Sequence, residues 1–172
     1  LLKLADQNFA GEGINYDTLA LEKFEAELPF DLTPAQQKVI SEILQDQKRP
    51  RHMNRLLQGD VGSGKTVVAA MAMYAVVTAG MQAAIMAPTE ILAQQHALNL
   101  AQLFENAGIS LRVELLTSGL KVAARRQLLE DLESGEIDIL VGTHALLQPD
   151  VAFHHLGLAV IDEQHRFGVK QR

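Results

Sequence analysis

The chain has 172 residues, of which 48% are apolar and 21% are charged, and its formal net charge is −6. This length suits one globular domain with a substantial core. The absence of Cys excludes a disulfide framework, a zinc ribbon and thiol catalysis, and the lack of Trp disfavours an aromatic platform for stacking bases. Without an apolar run of 18 residues or a signal-peptide start, we expect a cytoplasmic protein that makes no membrane contact.

The charge is distributed unevenly along the chain. Residues 1–31 carry a net charge of −5, whereas residues 32–66 carry +3 and residues 67–172 carry −4. Taken as a whole, an acidic chain argues against nucleic acid as a partner. Because residues 1–31 account for −5 of the total of −6 and precede every motif described below, the net charge is a poor guide to what the rest of the chain binds.

The first part of the chain has weak periodicity. We interpret residues 1–28 as a linker or the tail of a preceding region, with a short helix from an Asp17 cap to about Glu27. Pro29 then interrupts the pattern. A second helix begins with Thr33 as its N-cap and Pro34 in its first turn. Its apolar residues are predicted to share one face: Val39, Ile40, Ile43 and Leu44.

Short apolar runs then alternate with helical patterns. The runs are predicted strands at Met53–Gln58, Gln82–Ala87, Leu111–Leu116, Ile137–Val141 and Leu158–Ile161. The predicted helices are Lys65–Ala79, Glu90–Ala107 and Lys121–Ser134, followed by Gly80, Gly108 and Gly135 at C-cap positions. This alternation predicts an α/β fold with a parallel sheet covered by helices on both faces.

The segment Gly59–Thr66 fits the phosphate-loop pattern G-x-x-x-x-G-K-[ST], between a predicted strand and a predicted helix. Backbone amides and a helix N-terminus bind phosphate oxygens in such a loop. Lys65 would place its charge on the β- and γ-phosphates, and the Thr66 hydroxyl would bind Mg²⁺. The residues assigned to nucleotide binding are Gly59, Asp60, Val61, Gly62, Ser63, Gly64, Lys65 and Thr66.

Two acids follow the last apolar run, where parallel sheets place their ligands. Asp162 is the candidate Mg²⁺ ligand, and Glu163 is the candidate base that polarises water. Adjacent acids favour hydrolysis over phosphate transfer to a small molecule. With Lys65, these are the candidate catalytic residues. A metal site built from His154, His155 and His165 is disfavoured, because their spacing matches no zinc motif.

These motifs resemble those of superfamily 2 helicases, whose motor domains have the RecA-like P-loop fold. The matching segments are Leu32–Gln36, Ala87–His96, Thr117–Gly119, Gly142–Leu146 and Asp162–His165. The resemblance implies that Gln36 reads adenine and that Gln164 and His165 also lie at the nucleotide. It further implies that three loops hold a DNA backbone without reading its sequence. The residues of these loops are Thr89, Glu90, Ser118, Gly119, Thr143 and His144.

Two longer segments, Asn54–Thr66 and Ile161–Arg172, resemble the RecG family more closely. This resemblance implies an ATP-dependent DNA helicase or translocase that uses ATP and Mg²⁺ to remodel stalled forks and Holliday junctions in recombination and repair. It also implies partners in the same protein, namely a second RecA-like domain and a wedge domain. Residues 29–172 are then a first RecA-like domain that is truncated after the Asp162–His165 motif.

The resemblance also implies one expectation about the sheet and one about the rate of hydrolysis. The strand that carries the next motif in the family lies between the phosphate-loop strand and the Asp162 strand, so its absence would leave a gap at the centre of the sheet. Arginines of the second domain complete hydrolysis, so this chain alone is expected to be a poor hydrolase.

Two alternatives remain open at this point. One is another superfamily 2 motor, such as the transcription-repair coupling factor. The other is a P-loop ATP-binding module that does not act on nucleic acid.

Overall fold

The computed structural model describes residues 15–48, 55–59 and 66–163. The helices in these ranges are α1 (Thr18–Ala26), α2 (Pro34–Lys48), α3 (Thr66–Thr78), α4 (Glu90–Asn106) and α5 (Val122–Ser134), with a 3₁₀ helix at His144–Leu147. The strands are β1 (Arg55–Gly59), β2 (Gln82–Met86), β3 (Val113–Leu116), β4 (Ile139–Gly142) and β5 (Leu156–Asp162). The predicted alternation of strands and helices is therefore confirmed. No helix in the described part of the chain is long and apolar enough to cross a membrane.

The five strands form one parallel sheet in the order β1-β5-β2-β4-β3. The expected gap beside the phosphate-loop strand is wrong for this structure, because β1 pairs directly with β5 from Arg55↔Leu158 to Gly59↔Asp162. Direct pairing satisfies backbone N–H and C=O groups that a gap would leave without partners. It also brings the end of β1 beside the end of β5.

Side chains that alternate along the strands support two apolar layers. On β4, Ile139 and Val141 belong to a cluster that also contains the buried apolar residues of α1, α2, α3 and α4. Leu140, between them, belongs to a second cluster with Leu128 and Leu132 of α5. The sheet is thus covered on both faces, as predicted from its continuous apolar strands.

Helix ends follow the predicted signals in most cases. Asp17 and Thr89 cap α1 and α4 by accepting from Ala20 N and Leu92 N, and Gly80, Gly108 and Gly135 have φ of 85°, 72° and 89°. These left-handed conformations are what a glycine at a helix end supplies without strain. The predicted apolar face of α2 is wrong at Val39, which is 43% exposed, while Ile40 is buried.

Helix α1 lies within the range that was interpreted as a linker. Its Leu21 and Phe24 are buried in the same apolar cluster as α3 and α4. The Phe24 ring is stacked on Phe104, with 5.2 Å between centroids, and meets the edge of Tyr74 at 5.3 Å. We therefore propose that the compact domain begins before α1, and not at residue 29.

Gln82 is a buried polar residue at the start of β2, where it connects three segments. Its Nε2 donates to the carbonyl oxygens of Leu132 and Ile137 at 3.0 and 2.8 Å, and its Oε1 accepts from His155 N at 2.9 Å. The amide side chain thus satisfies backbone groups of three separate segments.

We expect Gln82→Leu to lower the free energy of unfolding by at least about 2 kcal/mol, since each buried group left without a partner costs about 1–3 kcal/mol. Urea denaturation followed by circular dichroism measures this loss. Gln94→Leu, at an exposed position of α4, is the matched control and should change the free energy by less than about 0.5 kcal/mol. Equal stability of the two variants would contradict this assignment.

Candidate nucleotide and nucleic-acid site

The candidate catalytic acids lie at the carboxyl edge of the sheet. Asp162 ends β5 and is 4% exposed, whereas the next residue, Glu163, is exposed. The register partner of Asp162 is Gly59, the first residue of the phosphate-loop motif. The structure thus brings the first residue of the phosphate-loop motif beside Asp162. The sequence predicts a shared edge of the sheet for the two motifs, but not that their strands are direct neighbours.

Several predicted nucleotide residues lie outside the described residues. They are Asp60, Val61, Gly62, Ser63, Gly64, Lys65, Gln164 and His165. Their assigned roles stay predictions. Thr66 is described, and it is the first residue of α3.

Gln36 and Thr66 line one cavity of about 570 Å³. Its wall also includes Phe30, beside α2, and three polar residues of α4: Asn99, Gln102 and Asn106. Reasoning from the sequence missed this contribution of α4. The spacing of i, i+3 and i+7 was a usable signal, because it places the three side chains on one helical face.

Gln36 also has a structural role that the sequence prediction missed. The Thr33 hydroxyl accepts from Gln36 N at 3.1 Å, and Gln36 Oε1 accepts from Thr33 N at 2.9 Å. This reciprocal pair is a capping box, which Thr-x-x-Gln at the start of a helix signals. The box fixes where the Gln36 side chain lies on the cavity wall, and its contact with adenine stays a prediction.

Asp162 forms a buried hydrogen bond with His96 of α4. The His96 Nε2 and Asp162 Oδ2 atoms are 2.8 Å apart, and their side chains are 7% and 1% exposed. His96 belongs to a segment that resembles a helicase motif, but no role was predicted for it. No sequence signal paired it with a residue 66 positions away.

The oxygen ligands predicted for Mg²⁺ suit that ion chemically. A carboxylate from Asp162 and a hydroxyl from Thr66 are hard donors, and Mg²⁺ typically takes one or two carboxylates together with phosphate oxygens and water. Within residues 15–48, 55–59 and 66–163, no group of three or more His, Cys, Asp or Glu could hold a metal ion. An ion held mainly by phosphates needs no such group.

The three candidate DNA loops follow β2, β3 and β4, so they lie at the same edge of the sheet as Asp162. Two of them are joined directly, since Ser118 N and Ser118 Oγ donate to Glu90 Oε2 at 3.0 and 2.8 Å. A Cβ on Gly119 would meet nothing within 4 Å, so its backbone is open to a ligand. DNA contact by these residues stays a prediction.

The third loop is not followed by a regular α-helix. Thr143 makes no side-chain capping bond, and the helical stretch after it is only the 3₁₀ helix His144–Leu147. A helix this short provides few aligned amides at its N-terminus. Any phosphate contact by Thr143 or the exposed His144 would therefore depend on their own polar groups.

The hydrogen bonds from Ser118 lower the pKa of the Glu90 carboxyl below its ordinary value of 4.5. Because this pKa is lowered in the folded state, the hydrogen bonds between Ser118 and Glu90 tether the loop above pH 4.5. The tether is lost as the pH falls through the lowered pKa of Glu90. The charge of Glu90 thus holds the β3–α5 loop against the start of α4.

We expect Glu90→Ala to lower the protection factor of the Ser118 amide, which is the intrinsic exchange rate divided by the observed rate, at pH 7. Acidification of the unmodified protein through the lowered pKa of Glu90 should lower this protection factor as well. Exchange measured by mass spectrometry or NMR checks this. Glu105→Ala, at an exposed site on the same helix, should leave Ser118 unchanged. Protection of Ser118 that is insensitive to Glu90 would contradict the tether.

An open parallel sheet with a phosphate-loop motif after β1 and an acidic pair after β5 defines a P-loop nucleotide-binding domain. Residues 33–172 match the DEAD/DEAH box helicase model, and the chain belongs to this family.

Among curated proteins, the ATP-dependent DNA helicases RecG of Staphylococcus epidermidis and Staphylococcus aureus are 59% and 58% identical to this chain. Each alignment covers 92% of this chain and 23% of the relative, so the chain spans about a quarter of their length. A solved RecG structure, bound to a three-way DNA junction, is 44% identical and superposes with a TM-score of 0.80 over 92% of this chain and 22% of its own.

Proposed function

We propose that this chain is the ATP-binding motor domain of an ATP-dependent DNA helicase that remodels branched DNA in recombination and repair. The observation that carries the proposal is the pairing of Gly59, the first residue of the phosphate-loop motif, with Asp162 at one sheet edge. The identity to RecG helicases over 92% of the chain supports the choice of DNA as the substrate.

In this proposal the chain's own residues divide the work of hydrolysis. Lys65 and the loop amides would bind the phosphates, and Asp162 and Thr66 would hold Mg²⁺. The bound ion would neutralise charge on the β- and γ-phosphates. Glu163, exposed next to the buried Asp162, accepts a proton from the attacking water.

The three loops after β2, β3 and β4 would bind DNA through its phosphates. Amides and hydroxyls in the Thr89–Glu90 and Ser118–Gly119 segments are suited to this, because they bind a backbone without distinguishing bases. Glu90 is not a phosphate ligand in this arrangement. Its carboxylate accepts from Ser118 and so fixes the two loops relative to each other.

The remaining assignments concern the protein as a whole. A second RecA-like domain would supply arginines to the γ-phosphate, and a wedge domain would engage the branch point. Both would be parts of the same protein, working in the cytoplasm. They are proposed from the similarity to RecG, since the chain covers 23% of those relatives.

ATP hydrolysis by the full-length protein tests this function. Turnover should be low without DNA and should rise when a three-way junction is added, with a smaller rise for linear duplex of the same length. ATP turnover that does not change when DNA is added would favour a P-loop module that does not act on nucleic acid. Equal stimulation by junction and linear duplex would contradict the proposed preference for branched DNA.

A further inference from the structure

The buried pair of His96 and Asp162 is not explained by phosphate binding or by DNA binding. His96 lies on α4 between Ala93 and Leu100, which are 0% and 1% exposed, so this face of the helix is pressed into the core. The imidazole therefore has little freedom to move. Its Nε2 meets Asp162 Oδ2 at 2.8 Å, at the point where β5 ends.

The donor and the acceptor of this hydrogen bond follow from the chemistry of the two groups. An ionised carboxylate can only accept, so the Nε2–H of His96 donates to Oδ2. A bond at one oxygen restricts rotation of the carboxylate about its Cβ–Cγ bond. It thereby fixes the direction in which Asp162 presents its lone pairs to a cation.

A simpler explanation is that two buried polar groups satisfy each other and do nothing more. That explanation does not take into account that Asp162 lies at the candidate nucleotide site. Asp162 is the register partner of Gly59 and the neighbour of Glu163. In the proposed ATP site, its orientation would therefore determine where an ion beside the phosphates binds. Removal of a residue that hydrogen-bonds to a metal ligand and orients it typically weakens metal binding.

We propose that His96 is a positioning residue for Mg²⁺, acting by orienting the Asp162 carboxylate. This inference rests on the proposed ATP site. It assigns a role in the nucleotide site to α4, the helix whose first turn also carries the Thr89–Glu90 loop.

The test measures binding of Mn²⁺, as a spectroscopic substitute for Mg²⁺, to full-length protein saturated with a non-hydrolysable ATP analogue. Electron paramagnetic resonance gives the free Mn²⁺ concentration. His96→Asn is too short to reach Asp162 and should weaken Mn²⁺ binding by about 10–100-fold. His96→Gln keeps a longer amide donor and should restore most of the affinity.

Two further variants distinguish the loss of the hydrogen bond from a general loss of structure. His96→Phe retains the volume of the ring without a donor, and should bind Mn²⁺ as weakly as His96→Asn. His154→Leu, at an exposed position, is the control and should bind Mn²⁺ normally. Binding of the analogue in EDTA should be the same for every variant, which shows that the phosphate loop is intact.

Wild-type Mn²⁺ affinity in the Asn and Phe variants would overturn the inference, as would equal impairment of the Asn and Gln variants. Failure of the unmodified protein to bind the analogue or Mn²⁺ would instead overturn the proposed function. The two failures are therefore distinguishable.

Discussion

Glu163→Gln is expected to lower ATP turnover of the full-length protein by at least about 100-fold, while ATP·Mg²⁺ binding stays unchanged. The amide has nearly the shape of the carboxylate but cannot take a proton from water. Because the buried Asp162 and not the exposed Glu163 is the proposed metal ligand, the ground-state complex should still form. Steady-state hydrolysis and a fluorescent ATP analogue measure the two properties separately.

Glu133→Gln provides the matched control for this substitution. It makes the same chemical change at an exposed position of α5, and turnover should be normal. Wild-type hydrolysis by the Glu163 variant would remove Glu163 from the mechanism. A parallel loss of ATP binding would mean that Glu163 acts in binding and not as a base.

Phe24→Ala is expected to lower the free energy of unfolding by about 3–5 kcal/mol, the range for removing a fully buried aromatic ring. Phe24 is 0% exposed and contacts Phe104 and Tyr74 with ring centroids 5.2 and 5.3 Å away. The substitution would leave a cavity between α1, α3 and α4. Urea denaturation measures the loss.

The control for this prediction lies on the same helix. Leu19 is 76% exposed, and Leu19→Ala should change the free energy of unfolding by less than about 0.5 kcal/mol. If Phe24→Ala were as stable as Leu19→Ala, α1 would be a detachable linker, and the domain would begin at residue 29 as the sequence suggested.

Much of the fold could be predicted because local signals agree with each other. Periodicity, caps and glycines placed both ends of α3, α4 and α5 within one residue of their observed bounds, and Thr89 caps α4 as expected. The candidate site was predictable only in part. Parallel strands end at one edge, so the motifs that follow β1 and β5 were expected at the same edge of the sheet. Their direct pairing was not expected, because the resemblance implied a gap between these two strands.

Contacts between distant segments could not be predicted in the same way. His96 and Asp162 are 66 residues apart, and Glu90 and Ser118 are 28 apart, so no local period relates them. The burial of Phe24 depends on aromatic residues from two other helices. The weak periodicity of α1 gave no sign of this contact, because so short a helix buries only Leu21 and Phe24.

Binding of ATP·Mg²⁺ by the full-length protein, measured by isothermal titration calorimetry, tests most directly whether the phosphate-loop motif and the acidic motif form one nucleotide site. We predict that each full-length protein, with its one pair of RecA-like domains, binds one ATP. Lys65→Ala should abolish binding, and Lys38→Ala, at an exposed position of α2, should leave it unchanged. ATP binding that survives Lys65→Ala would contradict the account.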